Sequence, residues 1–107
     1  MALISVQQMA HTGTQATYSA VSASDTADIS SGRVFLHVKN GGASSDTVTL
    51  TTPATVQGLA VADNAVAVPN GQERFFGPLD PALYGNSGVV TVTHSYTTSV
   101  TCAFVAV

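Results

Sequence analysis

Period-2 alternation of β-branched residues is the feature that most constrains this chain. It runs from end to end, and no segment of useful length carries the i, i+3, i+4 apolar spacing of a helix. The strongest example closes the sequence: "VVTVTHSYTTSVTCAFVAV", residues 89 to 107. Its even positions read Val90, Val92, His94, Tyr96 and then Val100, Cys102, Phe104, Ala106. Joined around Thr97, Thr98 and Ser99, they form a hairpin that places His94 opposite Cys102 and Val92 opposite Phe104 on one inward face. The odd positions begin as a threonine ladder and end as Ala103, Val105 and Val107. A strand apolar on both faces is buried on both sides, under another part of the domain or under a second chain.

A second strand, "RVFLHVKN", points Val34, Leu36 and Val38 one way and Arg33, Phe35, His37 and Lys39 the other. With "GGASSD" as its loop it is expected to pair with "TVTLTT", Val38 opposite Val48 and Leu36 opposite Leu50. Further strands are expected over 56 to 61, 65 to 68 and 72 to 76, with "PNG" as a turn between the last two. "GPLDPALYGNSG" reads as a structured connection whose Leu79, Leu83 and Tyr84 cap the core. "ALISVQQ" supplies a first strand, whereas the polar stretch that follows reads as an extended arm or irregular edge strand lying along another surface, or as a flexible lead-in. The expectation is therefore all-β: a single small β-sandwich or jelly-roll-like barrel over residues 1 to 107, with an extended N-terminal segment over 1 to 31 and the sandwich core over 32 to 107.

Composition narrows the function. With 107 residues one core is expected, large enough to bury roughly two thirds of the unfolded surface. Only nine residues are charged, 8% of the chain against about a quarter in an average domain. A surface so poor in charge has little protection against association, so packing against copies or partners is expected. Three basic residues and a net charge of −3 give no electrostatic footprint for nucleic acid. Cys102 is the one cysteine, which rules out an intramolecular disulfide and a cysteine-based zinc site. No charged n-region precedes an apolar h-region, and no window reaches the roughly 20 apolar residues of a membrane helix, so neither a classical signal nor a membrane span is expected.

Candidate chemistry is thin. His94 beside Cys102 has the composition of a base and a nucleophile, but with no third orienting group it reads as a buried thiol and a packed histidine. "GNSG" at 85 to 88 has the outline of a serine-protease motif, with Asn86 where those enzymes have aspartate, and reads as a β-turn. His11, His37 and His94 show no ligand spacing, and Asp25, Asp28, Asp46, Asp63 and Asp80 are expected in turns, so no metal or cofactor site is expected. Arg33, Phe35, His37 and Lys39 put an aromatic and two cations on one strand face, the composition of an interface anchor. The alternative is a solvated face with Phe35 under a loop. Together with Ala103, Val105 and Val107 they are the candidate interface.

The phrases "GRVFLHVKNGG", "DTVTLTTP", "GPLDPALYG" and "VTVTHSYTTSVTCAFVAV" resemble the small β-rich virion proteins encoded in the structural gene cassettes of tailed bacteriophages, particularly those of actinobacteria. The resemblance implies a non-enzymatic capsid decoration (cement) or minor head protein, made in the host cytoplasm. It would sit on the phage head surface in many copies, often as trimers, with the major capsid protein and copies of itself as partners. A head–tail connector or tail component is the alternative within that class. A carbohydrate-binding β-sandwich is the alternative outside it, disfavoured by the absence of Trp and by only three Tyr.

Overall fold

The two ladders that the alternation suggests are not the ladders that form. The computed structural model describes residues 2–85 and 87–107. In chain order the strands are β1 (Ala2–Leu3), β2 (Gln7–Gln8), β3 (Ser19–Ala20), β4 (Ser24–Asp28), β5 (Val34–Asn40), β6 (Asp46–Leu50), β7 (Thr55–Val56), β8 (Leu59–Ala60), β9 (Asn64–Val68), β10 (Glu73–Phe76), β11 (Val89–His94) and β12 (Val100–Ala106). A single helical turn, α1 (Pro81–Tyr84), precedes β11, its N-terminus capped by the Asp80 side chain. One sheet, A, has the order β1-β4-β11-β6-β9. The other, B, has the order β10-β5-β12-β2, with β3 also pairing to β12. They pack as a β-sandwich around one core, to which both contribute.

Consecutive long strands therefore mostly lie in opposite sheets. β11 and β12 do not form a hairpin: β11 pairs with β4 and β6, and β12 with β5, β2 and β3. Nor do β5 and β6 pair, since Leu36 lies opposite Phe104 and Val38 opposite Cys102, while Val48 lies opposite His94 and Leu50 opposite Val92. The inward residues are nonetheless the expected ones, because Val34, Leu36, Val38, Val48, Leu50, Val90, Val92, Val100, Cys102 and Phe104 are all in the core. A hairpin and an arch that crosses the core demand the same parity, so alternation cannot separate them. Turn chemistry can. Thr97-Thr98-Ser99 lacks the Asn-Gly or Gly of a tight hairpin. At the other connection, the buried Asn40 organises a bend: its Nδ2 donates to the carbonyls of Ser44 (2.8 Å) and Val68 (2.9 Å), and its Oδ1 accepts from Gly42 N–H (3.0 Å).

Within residues 2 to 31, β1 and β4 join sheet A and β2 and β3 join sheet B, with an extended stretch between β2 and β3. β4 lies between β1 and β11 in sheet A, and Val21, Ala27 and Ile29 are core residues. The expected strand over 56 to 61 is instead a small hairpin, β7–β8, turning at Gln57 (φ 51°) and Gly58 (φ 79°). Two successive positive φ values are the signature of a type I′ turn, which "QG" can supply because glycine carries no Cβ. Leu79 is fully buried and Tyr84 packs on the core, as expected of the connection that follows β10, whereas Leu83 is only half-buried and is not among the core residues. Of "GNSG", Asn86 lies outside the described residues; Ser87 (φ 54°) and Gly88 (φ 82°) turn with positive φ.

The two outer faces differ in chemistry. Sheet A is coated with threonine, Thr26 opposite Thr91 and Thr49 opposite Thr93. Sheet B carries aromatic and aliphatic side chains there, and the N-terminal segment crosses over it.

Candidate functional site

The β5–β12 ladder brings together the residues that the sequence singled out in two separate places. Lys39 lies opposite Thr101, His37 opposite Ala103 and Phe35 opposite Val105. Just beyond the ladder, Val107 N–H donates to the Arg33 carbonyl at 2.9 Å. All seven candidate interface residues thus belong to one neighbourhood on the outer face of sheet B. They do not share one fate. His37, Ala103 and Val105 are buried, Phe35 and Lys39 are half-buried, and Arg33 and Val107 are exposed.

The neighbour that covers part of this face is the chain's own N-terminal strap. β2 and β3 both add to β12, and the segment between them passes over the sheet. The Gln7 side chain closes the strap by donating from Nε2 to the Thr17 carbonyl and accepting from Thr17 N–H through Oε1, both at 2.7 Å. Tyr18 then anchors it. Its hydroxyl lies 2.7 Å from His37 Nδ1, and its ring receives Lys39 Nζ at 4.0 Å from the centroid, a cation–π contact. On the opposite side of the imidazole, Nε2 is 3.0 Å from Glu73 Oε1, and the ring stacks on Phe75 with centroids 4.0 Å apart. A cavity of about 180 Å³ remains between strap residues Met9, Thr14 and Ala16 and the face residues Phe35 and Val105.

Beyond the strap the face is open. A groove of about 650 Å³ lies at the end of sheet B where β5 starts and β10 and β12 finish, lined by Arg33, Phe35, Phe75, Gly77, Pro78 and Val107, among others. Phe75 is 66% exposed and Val107 56%, and as both line the groove they present a contiguous apolar patch. The floor is shaped by Gly77 (φ 145°), where a Cβ would lie 2.8 Å from that of Phe35. The main chain can approach the Phe35 backbone this closely only because residue 77 has no side chain. Phe75, Glu73, Tyr18 and Gly77 were not in the candidate interface read from the sequence. A signal for the first was present: adjacent phenylalanines in a strand face opposite ways, and Phe76 is in the core, so Phe75 faces out.

A second cluster lies inside the sandwich. His94 and Cys102 are both buried, on opposite sheets. His94 does have an orienting partner, contrary to expectation: its Nδ1 is 2.7 Å from Asp46 Oδ2, and its Nε2 is 3.9 Å from Asp25 Oδ2. Both aspartates, expected in turns, sit at inward strand positions and are fully buried. Asp46 also accepts from Tyr96 N–H (3.2 Å), and Asp25 from Ser22 N–H (3.1 Å) and the Ser22 hydroxyl. Every buried side-chain polar atom among the described residues has a partner. Burial, reinforced by the nearby Asp25 carboxylate, pushes the Cys102 thiol up to about 12. It stays protonated at neutral pH, the opposite of an activated nucleophile.

Among the described residues, no group of three or more His, Cys, Asp or Glu side chains is arranged to hold a metal ion, and no helix is long and apolar enough to cross a membrane. The chain was compared with family models, curated proteins and solved structures, and nothing in any of the three matches it.

Proposed function

We propose that the protein is a non-enzymatic structural component of a tailed-phage virion, a decoration or cement protein that binds the head shell through the outer face of sheet B. The observation that carries a binding role is the open apolar groove, with Phe75 and Val107 exposed beside the cation of Arg33. An exposed apolar patch rimmed by polar groups is the usual mark of an interaction surface. The low surface charge points the same way, since it leaves little repulsion between neighbouring copies. The phage assignment rests on the sequence resemblance. On this reading the mechanism is geometric: each copy bridges neighbouring subunits of the major capsid protein, and many modest contacts sum over the shell.

The test is cosedimentation of the purified protein with emptied heads of the phage that encodes it, read with the wild type and with Phe75→Ser. The expected result is saturable binding in many copies per head, weakened roughly tenfold or more by the substitution. Absence of binding to heads overturns the reading. Imaging of the particles distinguishes a lattice over the shell from a single ring at one vertex, which would assign the chain to the connector instead.

A further inference from the structure

The groove has a counterpart elsewhere on the same molecule. The β7–β8 hairpin pairs only with itself among the described residues, and its two large apolar side chains, Val56 and Leu59, face each other across the ladder at 62% and 72% exposure. Its base is held by Thr52, whose N–H donates to Asp63 Oδ1 (2.9 Å) and whose hydroxyl donates to the Val61 carbonyl (2.6 Å). Among the described residues the tip has no such support. Two-stranded hairpins are marginal in water unless they pack against something.

We propose that this hairpin of one molecule seats in the Phe35–Phe75–Val107 groove of a second copy, joining copies head to tail. The charges are complementary. Of the chain's three cations Arg33 is the one that lines the groove, since Lys39 packs on the Tyr18 ring and Arg74 lines a separate pocket with Asn64 and Val66. Arg33 has no carboxylate partner among the described residues. The hairpin's stem carries the exposed Asp63, one residue before β9, whose Oδ1 accepts from the Thr52 N–H and hydroxyl. Leu59 and Val56 fill the apolar part of the groove while Asp63 approaches Arg33. Knob and groove are different surfaces, so the contact is heterologous: it repeats into a ring if the rotation closes and into an open chain if it does not. A contact built on one hairpin tip is small, in the range of transient interfaces, and accumulates strength only through repetition. The inference deepens the multi-copy reading above and rests on it only in taking a second copy as the occupant.

Sedimentation velocity over a concentration series up to roughly 1 mM tests it, using the purified full chain without heads. The variants are Leu59→Asp, which destroys the knob, and Phe75→Ser, which destroys the groove. Both positions are mostly exposed, so unfolding transitions close to that of the wild type are expected. Arg33→Glu serves as a second groove variant should Phe75→Ser prove poorly folded. The wild type is expected to form concentration-dependent oligomers that weaken with added salt, and each single variant to associate roughly tenfold more weakly or worse. The decisive sample is the equimolar mixture of Leu59→Asp and Phe75→Ser. One intact knob and one intact groove remain, so the mixture forms dimers and nothing larger. A wild type that stays monomeric throughout, variants that assemble as the wild type does, or a mixture without dimers overturns the inference. If heads bind the wild type and Leu59→Asp equally while the free protein never self-associates, the knob-and-groove contact is wrong and the head-binding reading stands.

Discussion

Two histidines sit beside carboxylates in this sandwich, and the contrast between them separates what holds the fold from what is available for binding. His94 lies between the sheets with Asp46 and Asp25, and all three side chains are nearly inaccessible. His37 lies on the outer face of sheet B, bonded to a Glu73 that is 57% exposed and covered by Tyr18 of the strap. The residue type and the contact distances are similar. The surroundings are not. A buried polar pair stripped of one partner leaves the other desolvated and unsatisfied, whereas a pair at the surface lets water replace the lost partner. The interior cluster is therefore a structural pin, and the outer one an adjustable contact beside the groove.

That contrast can be broken by experiment. The largest expected effect is from Asp46→Ala, which strands His94 and the Tyr96 amide: a loss of about 3–5 kcal/mol in denaturant unfolding, from the removal of one partner of a buried pair. Cys102 reports on the same interior. Its raised pKa means that between about 9 and about 12 the unfolded chain gives up the thiol proton while the folded chain keeps it. Stability from this group is complete below pH 9 and falls as pH rises through that window, by at most about 1.4 kcal/mol per pH unit. Unfolding curves between pH 8 and 11, with Cys102→Ala as the reference, should show a steeper alkaline decline in the wild type. Thiol reagents at neutral pH should modify Cys102 only after denaturant is added.

Smaller effects are expected on the outer face. Tyr18→Phe removes the hydroxyl from His37 and should lower global stability by about 1 kcal/mol, with faster amide exchange confined mainly to the strap. Glu73→Gln keeps a hydrogen-bonding group beside His37 Nε2 at a position that is itself open to water, and should change stability by less than about 1 kcal/mol. If Glu73→Gln destabilised the protein as much as Asp46→Ala, the distinction between pin and adjustable contact would fail.

The sequence made the inward face of each long strand legible, because parity is a local property of alternating β-branched residues. Pairing was not legible, because it depends on which sheet each strand joins; two of the arches that carry the chain between sheets preserve the parity of a hairpin. The same parity rule places Asp46 with Val48 and Leu50, so the burial of Asp46 was readable in principle, but an aspartate at the start of a strand resembles a turn residue. The union of Arg33 to Lys39 with Ala103 to Val107 required the β5–β12 ladder, which joins residues some 68 positions apart. The cover over His37 required the strap, whose short polar residues carry little periodic signal.

The open part of sheet B's outer face, not the threonine-coated face of sheet A, is the surface proposed to contact neighbouring molecules. Hydroxyl-radical footprinting of the protein, free and bound to heads, tests it most directly. Phe75 and Phe35 are expected to be oxidised several-fold more slowly in the bound state, while the buried Phe104 stays unreactive in both. Equal oxidation of Phe75 in the free and bound states would contradict the proposed contact.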